Sequence, residues 1–197
     1  MHVSTFLRHP PWIGTSNIIQ GVRVYLRPPQ PGDWAEWAQL RAESRTFLTP
    51  WEPTWAPDEL TRNAYRRRLR RYGRDAREGL GYAFFVFHRG DDQLLGGMTL
   101  SNVRRGVTQS CSLGYWMGQH HAGQGHMTDA VRAVLRLVFI DLGLHRLEAA
   151  CLPSNERSKG VLRRVGFSEE GLARQYLKIN GAWRDHVLFA LLASDRR

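Results

Sequence analysis

The chain has 197 residues, which is enough for one domain with a sizeable hydrophobic core. It lacks any run of about 18 apolar residues and any secretory leader pattern, so the sequence excludes a membrane-spanning class and predicts a cytoplasmic protein. The formal net charge of +10 favours an anionic ligand, an acidic peptide or nucleic acid as partner, although the near absence of lysine among the basic residues also indicates compositional bias.

Both cysteines, Cys111 and Cys151, lie within apolar segments. This placement predicts buried, reduced thiols rather than a disulfide framework. Neither cysteine has an adjacent base or cation that would lower its pKa, so a catalytic thiol is disfavoured.

The N-terminal part of the chain contains several different predicted elements. Residues 1–20 have no sustained hydrophobic period and are interpreted as an N-terminal arm. Residues 21–27 alternate apolar and polar positions and predict a strand, and Asp33 is a candidate N-cap for the helix that follows. Three prolines then predict a loop in "TPWEPTWAP", which carries two tryptophans and Glu52.

A helix is predicted from Asp58 to Glu78, and it contains eight arginines between Arg62 and Arg77. One interpretation is a solvated helix face, and the other is contact with ribosomal or other RNA. Nothing along this helix resembles an RNA-recognition signature, so both interpretations stay open.

The next segments predict three successive antiparallel strands, over residues 82–88, 93–102 and 108–118. After Gly125 the apolar period becomes helical, and Gly143 is the predicted end of that helix. A strand over 145–152, a helix over 155–165 and a hairpin turning at "NG" complete a domain over 21–192, with residues 193–197 as a tail.

The stretch "GQHHAGQGHM" places a glycine-rich loop between a strand and a helix. Such a loop directs unpaired N–H groups and the positive end of a helix dipole at one point, which is typical of an anion site. It is not a dinucleotide fingerprint, because Thr128 occupies the third glycine position, and it lacks the Walker lysine. A glycine-rich turn without a ligand is the alternative on spacing alone.

The runs "GYWMGQHHAGQGHM" and "PSNERSKGVLRRVGF" resemble the GCN5-related N-acetyltransferase (GNAT) superfamily over residues 21–192. Within it, "FLTPWEP", "LSNV", "LGYWMGQ", "RSKGVLRRVGFSEEG" and "NGAWRDHV" resemble the ribosomal-protein-alanine N-acetyltransferases of the RimJ type. The resemblance implies an α/β GNAT fold with a mixed, mostly antiparallel sheet of six to seven strands flanked by helices. It also implies acetyl-CoA as cosubstrate and no metal.

By this resemblance, the loop backbone holds the pyrophosphate and neighbouring residues hold the rest of acetyl-CoA. The implied cofactor-binding residues are Tyr115, Trp116, Met117, His121, Ala122, Gly123, Gln124, Gly125, His126, Asn155 and Ser158. His120 departs from the arginine or glutamine usual at its position. The loop histidines either add partial positive charge beside phosphate or are solvated, and a histidine metal site is disfavoured because no carboxylate or cysteine completes it.

The resemblance further implies direct attack of an amine on the thioester. A main-chain N–H near Met117, freed by a bulged strand, polarises the carbonyl, and Ser158 protonates the leaving thiolate. The positions of known bases are Ala150 and Leu177 here, so Glu52 is the first candidate at the acceptor, followed by Glu170 and Asp185. Three aromatic residues are candidates for walling the acceptor slot: Trp51, Trp55 and Tyr115.

The lack of an evident strong base favours an α-amine acceptor, because roughly 10% of a terminal amine is neutral at pH 7 whereas far less of a lysine amine is. The predicted function is therefore acetylation of a protein N-terminus, by resemblance the alanine of a ribosomal protein. The alternatives are acetylation of a small-molecule amine and an RNA-binding protein that keeps the fold.

Overall fold

The computed structural model describes residues 18–195. They form one eight-stranded mixed sheet in the order β1-β2-β3-β4-β5-β6-β8-β7, in which only β5 and β6 are parallel neighbours. The strands are β1 (Ile19–Gln20), β2 (Val24–Arg27), β3 (Tyr82–His88), β4 (Leu94–Arg104), β5 (Ser110–Met117), β6 (Arg146–Cys151), β7 (Ser168–Ile179) and β8 (Ala182–Leu192).

Five α-helices accompany this sheet in the described part of the chain: α1 (Trp34–Glu43), α2 (Arg45–Leu48), α3 (Arg62–Arg77), α4 (His126–Arg136) and α5 (Glu156–Val165). A π-helical turn, Leu137–Asp141, extends α4 toward Gly143, whose φ is +60°. Gly166 ends α5 with a left-handed φ of +108°, a conformation that glycine adopts without steric cost.

The two faces of the sheet are covered by different helices. On strand β3, Phe84 and Val86 belong to the larger core, which α4 and α5 join, while Phe85 and Phe87 belong to a smaller core with residues of α1 and α3. Successive side chains of a strand point to opposite faces, so burial on both faces explains the continuous apolar run of β3.

The predicted mixed, mostly antiparallel sheet flanked by helices is observed, with eight strands instead of six to seven. Ile19–Gln20 lie in the segment predicted as an arm but pair with β2. Residues 1–17 of that arm, and 196–197 of the predicted tail, lie outside the described residues. The predicted strand over 21–27 begins only at Val24, because the preceding residues turn to contact α4.

Three local predictions need refinement. Asp33 is the N-cap residue of α1, as predicted, but its carboxylate accepts from Arg27 and the Gln30 N–H and makes no capping hydrogen bond to the helix. The helix predicted over 58–78 spans Arg62–Arg77, because Thr61 caps it by accepting from the Ala64 N–H. The loop predicted in "TPWEPTWAP" begins with a 3-10 turn, Thr49–Trp51, since proline is compatible with a first helical turn.

Candidate functional site

The site begins where the two parallel strands part. β5 pairs with β6 from Ser110 to Leu113, whereas its pairing with β4 continues to Met117. The main-chain groups of residues 114–117 that face β6 therefore have no ladder partner on that side. The predicted bulge near Met117 is wrong: the irregularity between β4 and β5 lies between Ser101 and Arg104, and divergence from β6 frees the donors without an inserted residue.

The glycine loop follows directly. Gly123 and Gly125 have φ of +80° and +83°, and α4 begins at His126. The first N–H groups of a helix have no partner within it, so they are available to an anion. The loop lines a cavity of about 1010 Å³, which we call the loop cavity and which also contacts β5, β6 and α5.

A carboxylate at the start of α4 fixes the loop against β2. Asp129 accepts hydrogen bonds from the N–H groups of Val22, Arg23 and Val24 at 2.7 to 3.2 Å. The Arg23 guanidinium in turn donates to the Gln124 carbonyl at 3.0 Å. Sequence reasoning missed both side chains, because they lie more than 100 residues apart in the chain.

Two of the loop histidines, His121 and His126, have lowered pKa values, which favours their neutral form. Burial lowers the pKa of His121, and the neighbouring His120 lowers it further. Burial likewise lowers the pKa of His126, helped by Arg23, and its buried Nδ1 has no hydrogen-bond partner among residues 18–195. The permanent positive charge that lines the cavity comes from Lys178 and four arginines: Arg23, Arg132, Arg157 and Arg164.

Asn155 and Ser158 sit at the start of α5, as predicted. Asn155 Oδ1 caps the helix by accepting from the Ser158 N–H at 3.1 Å. The Ser158 hydroxyl lies 2.8 Å from the Tyr115 hydroxyl, and burial raises the pKa of Tyr115. The two hydroxyls are hydrogen-bonded to each other at the wall of the loop cavity.

The cysteines do not supply a nucleophile. Burial raises the pKa of Cys111 to about 12. Burial also raises the pKa of Cys151, against a smaller lowering by the Ser158 hydroxyl. Both thiols are free and buried, which agrees with the sequence interpretation.

A second cavity of about 1070 Å³ lies on the side of α3, and we call it the helix-side cavity. It meets the loop cavity at five shared lining residues: Glu52, Pro53, Gly114, Tyr115 and Trp116. The Trp116 indole lies over Gly97 of β4, where a Cβ would approach its Nε1 to 2.5 Å. The absence of a side chain at Gly97 thus seats Trp116 at the junction.

Glu52 is at this junction but is heavily engaged. Its two oxygens accept from the Arg41 guanidinium, each at 2.7 Å, and one also accepts from Trp55 Nε1 at 2.7 Å. Arg41 is buried, and its guanidinium lies 4.2 Å from the Trp55 ring centroid. These contacts favour an anchoring role for Glu52 over that of a base.

Some of the other residues predicted at the acceptor site line the two cavities, and others do not. Trp51 lines the loop cavity and Trp55 the helix-side cavity. Glu170 forms an ion pair with Arg146, and Asp185 accepts from the Gln175 N–H. Neither carboxylate is among the residues that line the two cavities.

Sequence reasoning overlooked His186 of β8, which is 3% exposed and lines the loop cavity. Its Nδ1 lies 2.9 Å from the Arg184 carbonyl oxygen, and its ring meets the Tyr176 ring edge-on at 5.9 Å. The one available signal was a histidine within the otherwise apolar strand "HVLFALL".

Within residues 18–195 there is no group of three or more His, Cys, Asp or Glu side chains that could hold a metal ion. No helix in the same range is long and apolar enough to cross a membrane.

Comparison with known proteins gives matches over most of the chain. It is 37% identical over 178 residues to the probable N-acetyltransferase YjcK of Bacillus subtilis, covering 90% of this chain and 98% of that protein. It is 36% identical over 173 residues to the ribosomal protein uS5-alanine N-acetyltransferase of Escherichia coli, covering 88% of this chain and 89% of that protein.

Among solved structures, Mycobacterium smegmatis RimJ in complex with CoA-disulfide superposes with a TM-score of 0.83 at 35% identity, covering 91% of this chain and 86% of that one. Residues 23–168 match the family model described as an acetyltransferase (GNAT) domain. The resemblance seen in the sequence is confirmed, and the chain belongs to the GNAT family of acetyltransferases.

Proposed function

We propose that this acetyltransferase transfers acetyl from acetyl-CoA to the N-terminal α-amine of a protein, with a ribosomal-protein alanine as the preferred acceptor. The observation that carries the proposal is the meeting of two cavities at Tyr115 and Trp116. A donor in one cavity and an amine in the other can react directly, without an acyl-enzyme. The relatives named for ribosomal-protein acetylation support the acceptor class and, with it, a cytoplasmic location.

In this proposal the N–H groups of the glycine loop and of the first turn of α4 hold the pyrophosphate. The arginines that line the loop cavity supply the positive charge. The thioester then lies in the gap between β5 and β6, where main-chain donors near Met117 polarise its carbonyl. Tyr115, Trp116 and Asn155 line the channel for the pantetheine arm.

The helix-side cavity is the proposed acceptor groove. It is lined by four carboxylates (Glu52, Glu59, Asp75 and Glu148) and by four arginines (Arg41, Arg68, Arg71 and Arg104). This balance disfavours a polycationic small molecule, which would be bound best by an excess of carboxylates. An extended peptide, with main-chain polar groups of both kinds, fits a mixed lining better.

The function is tested by release of free CoA with acetyl-CoA and N-terminal peptides. Peptides beginning with Ala or Ser are expected to be acetylated on the α-amine, and the same peptides with a blocked N-terminus and one internal lysine are expected to be inert. Polyamines serve as competing acceptors. Turnover with polyamines but with no N-terminal peptide would contradict the proposed acceptor.

We infer that Ser158 returns a proton to the thiolate of CoA and that Tyr115 resupplies it, because their hydroxyls are 2.8 Å apart. Ser158→Ala is expected to lower kcat by roughly tenfold, less than the roughly 100-fold at the low end of general-acid effects, because Tyr115 remains. The dissociation constant of acetyl-CoA, measured by calorimetry, should be the same as in the wild type. Ser168→Ala, at an exposed position of β7, is the matched control, and unchanged turnover of Ser158→Ala across pH would remove Ser158 from the mechanism.

A second candidate activity is RNA contact through α3, favoured by the pattern of its arginines. Arg67, Arg68 and Arg74 pair with carboxylates. Among residues 18–195, Arg66, Arg70 and Arg77 have no carboxylate, carbonyl or aromatic partner and are exposed. They lie on one helix face because their spacings of 4 and 7 residues approximate whole turns.

The RNA proposal predicts a salt-dependent affinity for a labelled single-stranded RNA. Replacing Arg66, Arg70 and Arg77 by Gln should reduce the slope of log affinity against log salt by about 2, since each lost phosphate contact removes about 0.7. The control replaces Arg136, Arg174 and Arg184, which are exposed and equally unpaired within the described residues. Equal slopes for the two triple variants would show an effect of net charge alone.

A further inference from the structure

His186 has no role in the mechanism proposed above, although it lies at the candidate site. It is almost fully buried, yet it lines the loop cavity, and its ring contacts Tyr176, which lines the helix-side cavity. The histidine and the tyrosine therefore connect the two cavities from the β7–β8 hairpin. Tyr115 and Trp116 connect them from β5.

The contacts of His186 define which ring nitrogen faces the site. Nδ1 lies 2.9 Å from the Arg184 carbonyl oxygen, and a carbonyl can only accept, so Nδ1 carries a hydrogen. In the neutral ring Nε2 then holds a lone pair. Nε2 has no hydrogen-bond partner among the described residues, and it is not fully buried. It is therefore accessible from the loop cavity.

We propose that His186 is the general base that accepts a proton from the acceptor ammonium. The proposal rests on the transfer reaction inferred above, and it supplies the base that Glu52 cannot readily provide while Arg41 and Trp55 occupy its oxygens. The Arg184 carbonyl orients the ring, and it also stabilises the imidazolium once Nε2 is protonated.

The proton and bond changes balance without a further reactant. The ammonium gives one proton to His186 Nε2, and the free amine attacks the thioester carbon. The C–N bond forms, the C–S bond breaks, and the second proton of the nitrogen reaches the sulfur through Ser158. CoA leaves as the thiol, and His186 releases its proton to solvent.

Other titratable groups that line the two cavities come from several elements. Tyr176 and Lys178 are contributed by β7, Cys151 by β6, Tyr115 by β5, and Glu52 by the loop before α3. Burial raises the pKa of both Cys151 and Tyr115, so neither group is favoured as the base.

The test uses His186→Asn, because the Asn amide can still donate to the Arg184 carbonyl while the base is lost. We expect kcat to fall about 100-fold, the lower range for loss of a general base, with the acetyl-CoA dissociation constant unchanged. The dependence of kcat on pH should differ between the wild type and the variant, and the variant should regain part of its rate on addition of free imidazole.

His145→Asn is the matched control, since His145 is exposed and lies outside both cavities. Each protein is assayed with an N-terminal peptide and with a small primary amine. A wild type that acetylates only the small amine contradicts the protein acceptor, while the ratio of variant to wild type still tests His186. A kcat of His186→Asn within twofold of the wild type at every pH would overturn the proposal. If that variant does not fold, His186→Gln takes its place, and a kcat of His186→Gln within twofold of the wild type overturns the proposal equally.

Discussion

A Gly125→Val variant is expected to bind acetyl-CoA at least tenfold more weakly than the wild type. Gly125 has a φ of +83°, where a β-branched residue costs roughly 1 to 3 kcal/mol. A Cβ at this position would also come within 2.7 Å of the Arg23 guanidinium. The loop or Arg23 must therefore move, and the N–H groups at the start of α4 then no longer point at one site. Calorimetric titration with acetyl-CoA measures the loss.

Gly79→Val separates backbone strain from ligand binding. Gly79 has a φ of +68°, and a Cβ there would meet nothing within 4 Å. Both variants should therefore lose comparable stability, about 2 to 4 °C of melting temperature for each kcal/mol in a domain of this size. Only Gly125→Val should lose affinity for acetyl-CoA. Equal affinities in the two variants would show that the loop does not hold the cofactor.

The parts of the fold that follow from local patterns were predictable from the sequence. The run over residues 82–88 coincides with β3, and the hairpin turn occurs at Asn180-Gly181, whose φ values of +44° and +83° suit this pair. The pairing of Ile19–Gln20 with β2 was not predictable, because two residues carry no period. The departure of β5 from β6 depends on sheet geometry, which a single strand does not encode.

In the candidate site, too, local features were predictable and long-range contacts were not. The glycine loop was predictable because an anion site made of main-chain N–H groups depends on local backbone conformation. Asp129 was missed because its role depends on β2, which is distant in sequence. The engagement of Glu52 required knowledge that Arg41 faces it, and the placement of His186 required the register of β8 against β6 and β7.

Glu52→Ala is expected to destabilise the protein by about 2 to 3 kcal/mol and to raise the KM of the acceptor. The change leaves the buried Arg41 guanidinium without its carboxylate, and removal of one partner from a buried pair costs roughly 3 to 5 kcal/mol. We expect a loss at or just below the lower end of this range, because the Glu52 side chain keeps 19% exposure. Thermal unfolding measures the first effect, and steady-state kinetics with an N-terminal peptide the second.

The kinetic pattern of Glu52→Ala decides between anchor and base. As an anchor, Glu52 holds Arg41 and Trp55 at the rim of the acceptor groove, so KM should rise at least tenfold while kcat and acetyl-CoA affinity change little. A base would instead lower kcat, by about 100-fold or more, at unchanged KM. Glu170→Ala is the matched control, because Glu170 also pairs with an arginine but is 40% exposed. Its loss should cost less than about 1 kcal/mol, as surface ion pairs do, and should leave both kinetic constants unchanged.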